Sequence, residues 1–158
     1  MHRLTIFVAV VCAGLLATSV AFGASPHFVK GPTYTATTSA LTASGKAAGL
    51  ANAPTDAFLT ANRIDVFYQC QNHGQNFAPG HPATSTGVVG PSEPITPHNG
   101  QITFSVSLAA PTVNAADACP NKNWTVVVSR VDYVGVVLHI QQNGTDILTD
   151  AAGNFTAP

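Results

Sequence analysis

Residues 101–108 alternate without a break. Ile102, Phe104, Val106 and Leu108 fall on one side, and Gln101, Thr103, Ser105 and Ser107 on the other. Period two is the repeat of a pleated strand, and an apolar face backed by a hydroxyl-rich one describes an antiparallel strand buried on one side only. Such a strand needs neighbours to complete its hydrogen bonds and a second layer to cover its apolar face. The same period returns in residues 58–70, where Ile64, Val66, Tyr68 and Cys70 share one face and Arg63, Asp65 and Gln69 the other. Phe67 breaks the polar face, and Asn62-Arg63 is the place for a bulge or bend.

The rest of the chain reads as β structure with frequent punctuation. A Thr-rich strand is predicted over 34–43, and two short strands over 40–50 with a turn near Gly45. Residues 71–100, rich in Gly, Pro, Asn and His, offer only Val88-Val89 as a short strand, and so read as a long irregular segment; loops of that length are usually functional or disordered. Residues 109–123 form another loop. Two strands are expected over 124–132 and 133–142, the second with Val134, Val136, Leu138 and Ile140 on one face. Asn143-Gly144 is a type I′ hairpin signal; residues 145–149 pair back, and 150–158 form a short edge strand or fray. Seven or eight short strands with little helix predict an all-β fold, an antiparallel two-sheet sandwich of immunoglobulin-like architecture. Trp124 follows the second cysteine of the domain instead of lying between the two, so the expectation concerns architecture and not membership of that superfamily.

The N-terminus sets the compartment. Met1-His2-Arg3 carries positive charge, an apolar run follows, and Ala21-Phe22-Gly23 supplies small residues for cleavage, so residues 1–23 read as a secretory signal. Cleavage after Ala24 and an uncleaved membrane anchor are the alternatives; no basic stop-transfer cluster follows the run. An extended lead-in is expected over 24–32 and one β-sandwich domain over 33–158, secreted or otherwise extracytoplasmic, at the cell surface or in the periplasm. Removal of the signal takes Cys12 with it and leaves Cys70 and Cys119, which an oxidising compartment would join. Closing a loop of about 50 residues would stabilise the fold by about 4 kcal/mol.

Charged residues make up 8% of the chain, with a formal net charge of -1. No cluster of Lys or Arg exists to form a nucleic-acid footprint or a polybasic membrane anchor.

Six histidines invite a metal reading. His73, His81 and His98 all lie in the irregular segment, and neutral imidazole ligates zinc and copper, but the spacing matches no metal motif. A copper site built on the N-terminal amine would require the mature chain to start at His27, after a proline that signal peptidase disfavours. No G-x-S-x-G elbow occurs; Ser44 lacks its flanking pattern, although a triad assembled in space leaves no such trace. Asp146 and Asp150, four apart, match no calcium loop and read as solvated edge charges. Candidate ligand-facing aromatics are Tyr34, Phe67, Phe77, Trp124 and Tyr133. Asn123, Asn143 and Asn154 head formal glycosylation sequons, with chance occurrence as the plain explanation.

Two segments carry a resemblance. Cys70-Gln71-Asn72-His73-Gly74-Gln75-Asn76-Phe77-Ala78-Pro79-Gly80 and Ala118-Cys119-Pro120-Asn121-Lys122-Asn123-Trp124-Thr125, together with Ala43-Ser44-Gly45-Lys46-Ala47-Ala48-Gly49-Leu50, resemble a group of uncharacterised small secreted bacterial proteins. The resemblance implies secretion and the extent of the domain, and supplies no activity or site residue. The expectation is a non-enzymatic protein with no cofactor, binding an unidentified protein or extracellular polymer, with Phe77, Trp124 and Tyr133 as candidate contacts. The alternative is an extracytoplasmic copper or zinc protein using the loop histidines.

Overall fold

The computed structural model describes residues 25–121 and 123–158; the expected signal segment lies outside them. Among these residues nine strands form two antiparallel sheets. The first sheet has the order β1 (His27–Ala36), β2 (Ala40–Ala48), β7 (Gln101–Ala109). The second is built on two long strands, β3 (Thr55–Gln71) and β8 (Thr125–Gln142), with β9 (Thr145–Ala157) outside β8. Along the other edge of β3 lie three short strands in succession: β6 (Glu93–Ile95), β5 (Ala83–Val89) and β4 (Phe77–Pro79). The expected two-sheet sandwich is the observed fold, and no helix of the described residues is long and apolar enough to cross a membrane.

One shared core fills the space between the sheets. The alternating face of β7 supplies Ile102, Phe104, Val106 and Leu108, opposed by Leu59, Ile64, Val66, Leu138 and Ile140 from the second sheet. Gly45, read as a turn, lies inside the continuous strand β2, and a Cβ there would stand 2.8 Å from Phe104 Cζ. Glycine is required at that point because the aromatic ring occupies the space, and no reversal of the chain occurs. Most of the expected lead-in is likewise strand, since β1 begins at His27 and pairs with β2 through two register shifts.

The second sheet is creased. On β3 the buried positions run Ala57, Leu59, Ala61 and then Ile64, Val66; on β8 they run Ile140, Leu138, Val136 and then Tyr133, Val131. Both strands therefore exchange their inward and outward positions at one level. Gly87 on β5 (φ 60°), Gly135 on β8 (φ 65°) and Gly153 on β9 (φ 88°) lie at this level beside Asn62 of β3. Positive φ at Gly135 is open to glycine at no steric cost, and the backbone N–H of Gly135 donates to Asn154 Oδ1 at 2.8 Å. This crease keeps an 18-residue strand on the core while its buried positions change parity, where the sequence suggested two strands broken near Asp132. Val134 consequently leaves the buried face and Tyr133 enters it.

Asn143-Gly144 makes the expected tight hairpin, with φ of 52° and 74°. The tail is not frayed, because β9 stays paired with β8 as far as Ala157 opposite Val131. Cys70 and Cys119 are bonded, with Cα atoms 5.7 Å apart. Cys119 closes the short helix α1 (Ala115–Ala118) in the β7–β8 connection, so the staple ties strand to loop instead of strand to strand.

Candidate binding face

The histidines that suggested a metal site are spread along one edge of the molecule. His73 sits in the turn between β3 and β4, His81 between β4 and β5, and His98 in the connection from β6 to β7, all three exposed. No group of three His, Cys, Asp or Glu side chains is placed to hold a metal ion among the described residues. The segment 71–100 is not the long loop expected: β4, β5 and β6 pair with β3 in turn, their order fixed by the open edge of that strand.

The candidate aromatics do not form a platform. Tyr133 is fully buried and donates to the Thr37 carbonyl at 3.0 Å; burial pushes its phenol up to about 12. It offers no face to a ligand, which corrects its place among the contact candidates. Tyr34 packs on Phe155 and donates to Asp150 Oδ2 at 2.6 Å, joining β1 to β9. Its pKa is pushed up by burial first, then by the hydrogen bond to Asp150 and that carboxylate's charge. Phe67 lies under the Arg130 guanidinium, 3.9 Å from the ring centroid, and Trp124 is half-buried. Phe77 is 55% exposed.

On the outer face of the second sheet each arginine lies beside a carboxylate, while Asp132 Oδ1 is buried without a hydrogen-bond partner among the described residues. Arg63 Nε reaches Asp65 Oδ2 at 2.8 Å, and Thr84 donates to the other oxygen at 2.7 Å. Arg130 Nε stands 3.3 Å from Asp132 Oδ1, and Asp132 is directly opposite Asp65. Across the crease, His139 stacks on Phe58 with centroids 4.9 Å apart; its Nδ1 lies 3.0 Å from Asp146 Oδ2 and its Nε2 3.1 Å from Thr60 Oγ1. Burial draws the Asp146 carboxyl up, but hydrogen bonds from Gln141 and His139, with the charge of His139, hold it below its ordinary value.

Asp146, His139 and Thr60 reproduce the connectivity of a carboxylate–imidazole–hydroxyl relay. Acyl transfer also requires backbone N–H donors aimed at a developing oxyanion. Thr60 is paired with Val89 on one side and Val137 on the other, so the surrounding backbone is committed to the sheet. The relay acts as a cross-strand clamp. His139 was missed in the sequence because its partners, Phe58, Thr60 and Asp146, converge only through strand register.

The first sheet differs in kind. Its three strands contain Lys30 and Lys46 and no carboxylate, whereas six carboxylates lie on strands of the second sheet. Lys30 and Lys46 are direct cross-strand partners, and Thr103 stands opposite Lys46 on β7. One step along, Thr33, Ser44 and Ser105 form a parallel row of hydroxyls. Between the rows runs an open groove of about 450 Å³. It adjoins a second groove of about 280 Å³, which shares Lys46 and Thr103 and extends to Thr96 and His98. Neither lysine has an acidic partner within 4 Å among the described residues. Like charges directly opposite on a sheet are destabilising, so this pair weakens the strand contact on which it sits.

No sequence pattern singles out the lysines, which lie 16 positions apart in the expected lead-in and turn segments. One trace was present: no Asp or Glu precedes Asp56, and none occurs between Glu93 and Asp117. The chain matches no protein family, no curated protein and no solved structure with which it was compared.

Proposed function

We propose that this protein is a secreted, non-enzymatic β-sandwich that binds an acidic partner or polymer at the cell surface or outside the cell, through the outer face of the β1–β2–β7 sheet. The observation that carries this reading is the Lys30–Lys46 pair, with no acidic partner among the described residues, in a mainly apolar groove edged by four hydroxyls on a sheet whose strands carry no carboxylate. An anion in the groove would relieve the repulsion between the lysines, whereas the arginines of the other sheet already have their carboxylates. The disulfide fits an oxidising compartment, and the resemblance of the cysteine-bearing segments to small secreted bacterial proteins supports the same location. The immunoglobulin-like comparison rests on two antiparallel sheets face to face; the strand-to-loop staple is not the inter-sheet pin of that superfamily.

Titration of the protein with dextran sulfate and with uncharged dextran tests the reading. Binding of the sulfated polymer alone, weakened by added salt and lost in Lys30→Glu/Lys46→Glu, is the expected result. Equal binding of both polymers, or unchanged binding by the double variant, would contradict it.

A further inference from the structure

The two adjoining grooves allow the ligand class to be narrowed. Resting on the reading above, we propose that the outer face of the first sheet is a site for an acidic polysaccharide that lies across the strands, from Lys30 over Lys46 to His98.

Three features of the geometry lead there. The first is that both lysines are exposed, and an exposed ion pair gains little in water, so a single small anion would be held weakly. A chain carrying a charge on successive units engages the second cation at high effective concentration, and gains from repetition what each contact lacks.

The second is the direction of the rows. Lys30, Lys46 and Thr103 are in register across three strands, and neighbouring strands lie about 4.8 Å apart. A ligand following this row runs perpendicular to the strands and reaches the second groove, where His98 and Thr96 continue the polar line.

The third separates a glycan from an acidic peptide. An extended peptide gains much of its affinity by adding its main chain to a sheet edge. Here only β2 is paired on both sides, and the lysine row crosses the strands, at right angles to a peptide that would add along the open edge of β1 or β7. What the face offers instead is side-chain hydroxyl, from Thr33, Ser44, Thr103 and Ser105. Each hydroxyl can donate one hydrogen bond and accept two, which suits the hydroxyls of a sugar.

The test uses the whole mature protein and fluorescently labelled galacturonic acid as monomer, trimer and hexamer. A sulfated glucan as monomer, trimer and hexamer, an uncharged glucan hexamer and a glutamate hexamer complete the set. Affinity is expected to rise at least tenfold from galacturonate monomer to hexamer, or along the sulfated series, whichever anionic group the groove accepts. Lys30→Gln and Lys46→Gln should each weaken the preferred hexamer at least fivefold, and His98→Gln should weaken the hexamer while leaving the trimer unchanged. Unaltered near-ultraviolet circular dichroism would show that these exposed variants are folded. Absence of length dependence, or glutamate hexamer binding as tightly as either acidic sugar hexamer, would overturn the glycan assignment while leaving an acidic partner in place. If no anionic probe bound at all, the parent reading would fall as well.

Discussion

The two outer faces of this sandwich are built on the same core and put their charges to opposite uses. On the β3–β8–β9 side every guanidinium has a carboxylate, Arg63 with Asp65 and Arg130 with Asp132, and the one embedded imidazole, His139, has Asp146. On the β1–β2–β7 side two lysines are cross-strand partners and neither has a carboxylate within 4 Å among the described residues. A charge compensated within its own sheet contributes to the fold and has little left for a partner. One left uncompensated costs stability and attracts whatever carries the opposite sign. The creased sheet is therefore read as scaffold and the three-stranded sheet as contact face.

Changes that damage the scaffold should lower stability and leave polyanion affinity in the folded protein alone. The largest effect is expected from Cys70→Ser/Cys119→Ser, which frees a loop of about 50 residues and should cost about 4 kcal/mol in chemical denaturation. A loss below about 1 kcal/mol would mean that the staple does not anchor β3. Gly135→Ala comes next. The new Cβ would collide with the Asn62 side-chain amide on a residue with φ of 65°, and the expected cost is about 2 kcal/mol, measured as a shift in denaturation midpoint at constant slope. An unperturbed midpoint would show that the crease tolerates side chains and is not a structural requirement.

Asp146→Asn should act more weakly and only over part of the pH range. The folded carboxyl is held below its ordinary value, so the stability it confers is present above the unfolded pKa, near 4, and is lost as pH falls through the lower folded value. Because this side chain is 39% exposed, the contribution should stay below about 1 kcal/mol. Wild type and variant should differ at pH 6 and converge as the pH falls through the folded value; a gap that widened on acidification would reverse the assigned sign.

How much of this division could be read from the sequence depends on whether a feature is local. The strand at residues 101–108 was legible because one face is wholly buried and the period is unbroken, and the Asn143-Gly144 turn because its backbone demand is specific to those residue types. The β4, β5 and β6 strands were not, because each is short and finds its place only against the open edge of β3. The crease left one visible mark, the Asn62-Arg63 irregularity, while its continuation through Gly87, Gly135 and Gly153 follows from pairing. The proposed contact face was hidden for the same reason: Lys30 and Lys46 become neighbours through register, across a bulge in β1.

The division between the faces is tested most directly by Lys46→Glu, followed in one sample by thermal denaturation and by titration with dextran sulfate. The substitution replaces a repelling cross-strand pair with an attracting one, so the fold should be unchanged or more stable by a few tenths of a kcal/mol, while polyanion affinity falls at least tenfold. Retained affinity, or a fold clearly destabilised by the change, would contradict the assignment of this sheet as the contact face.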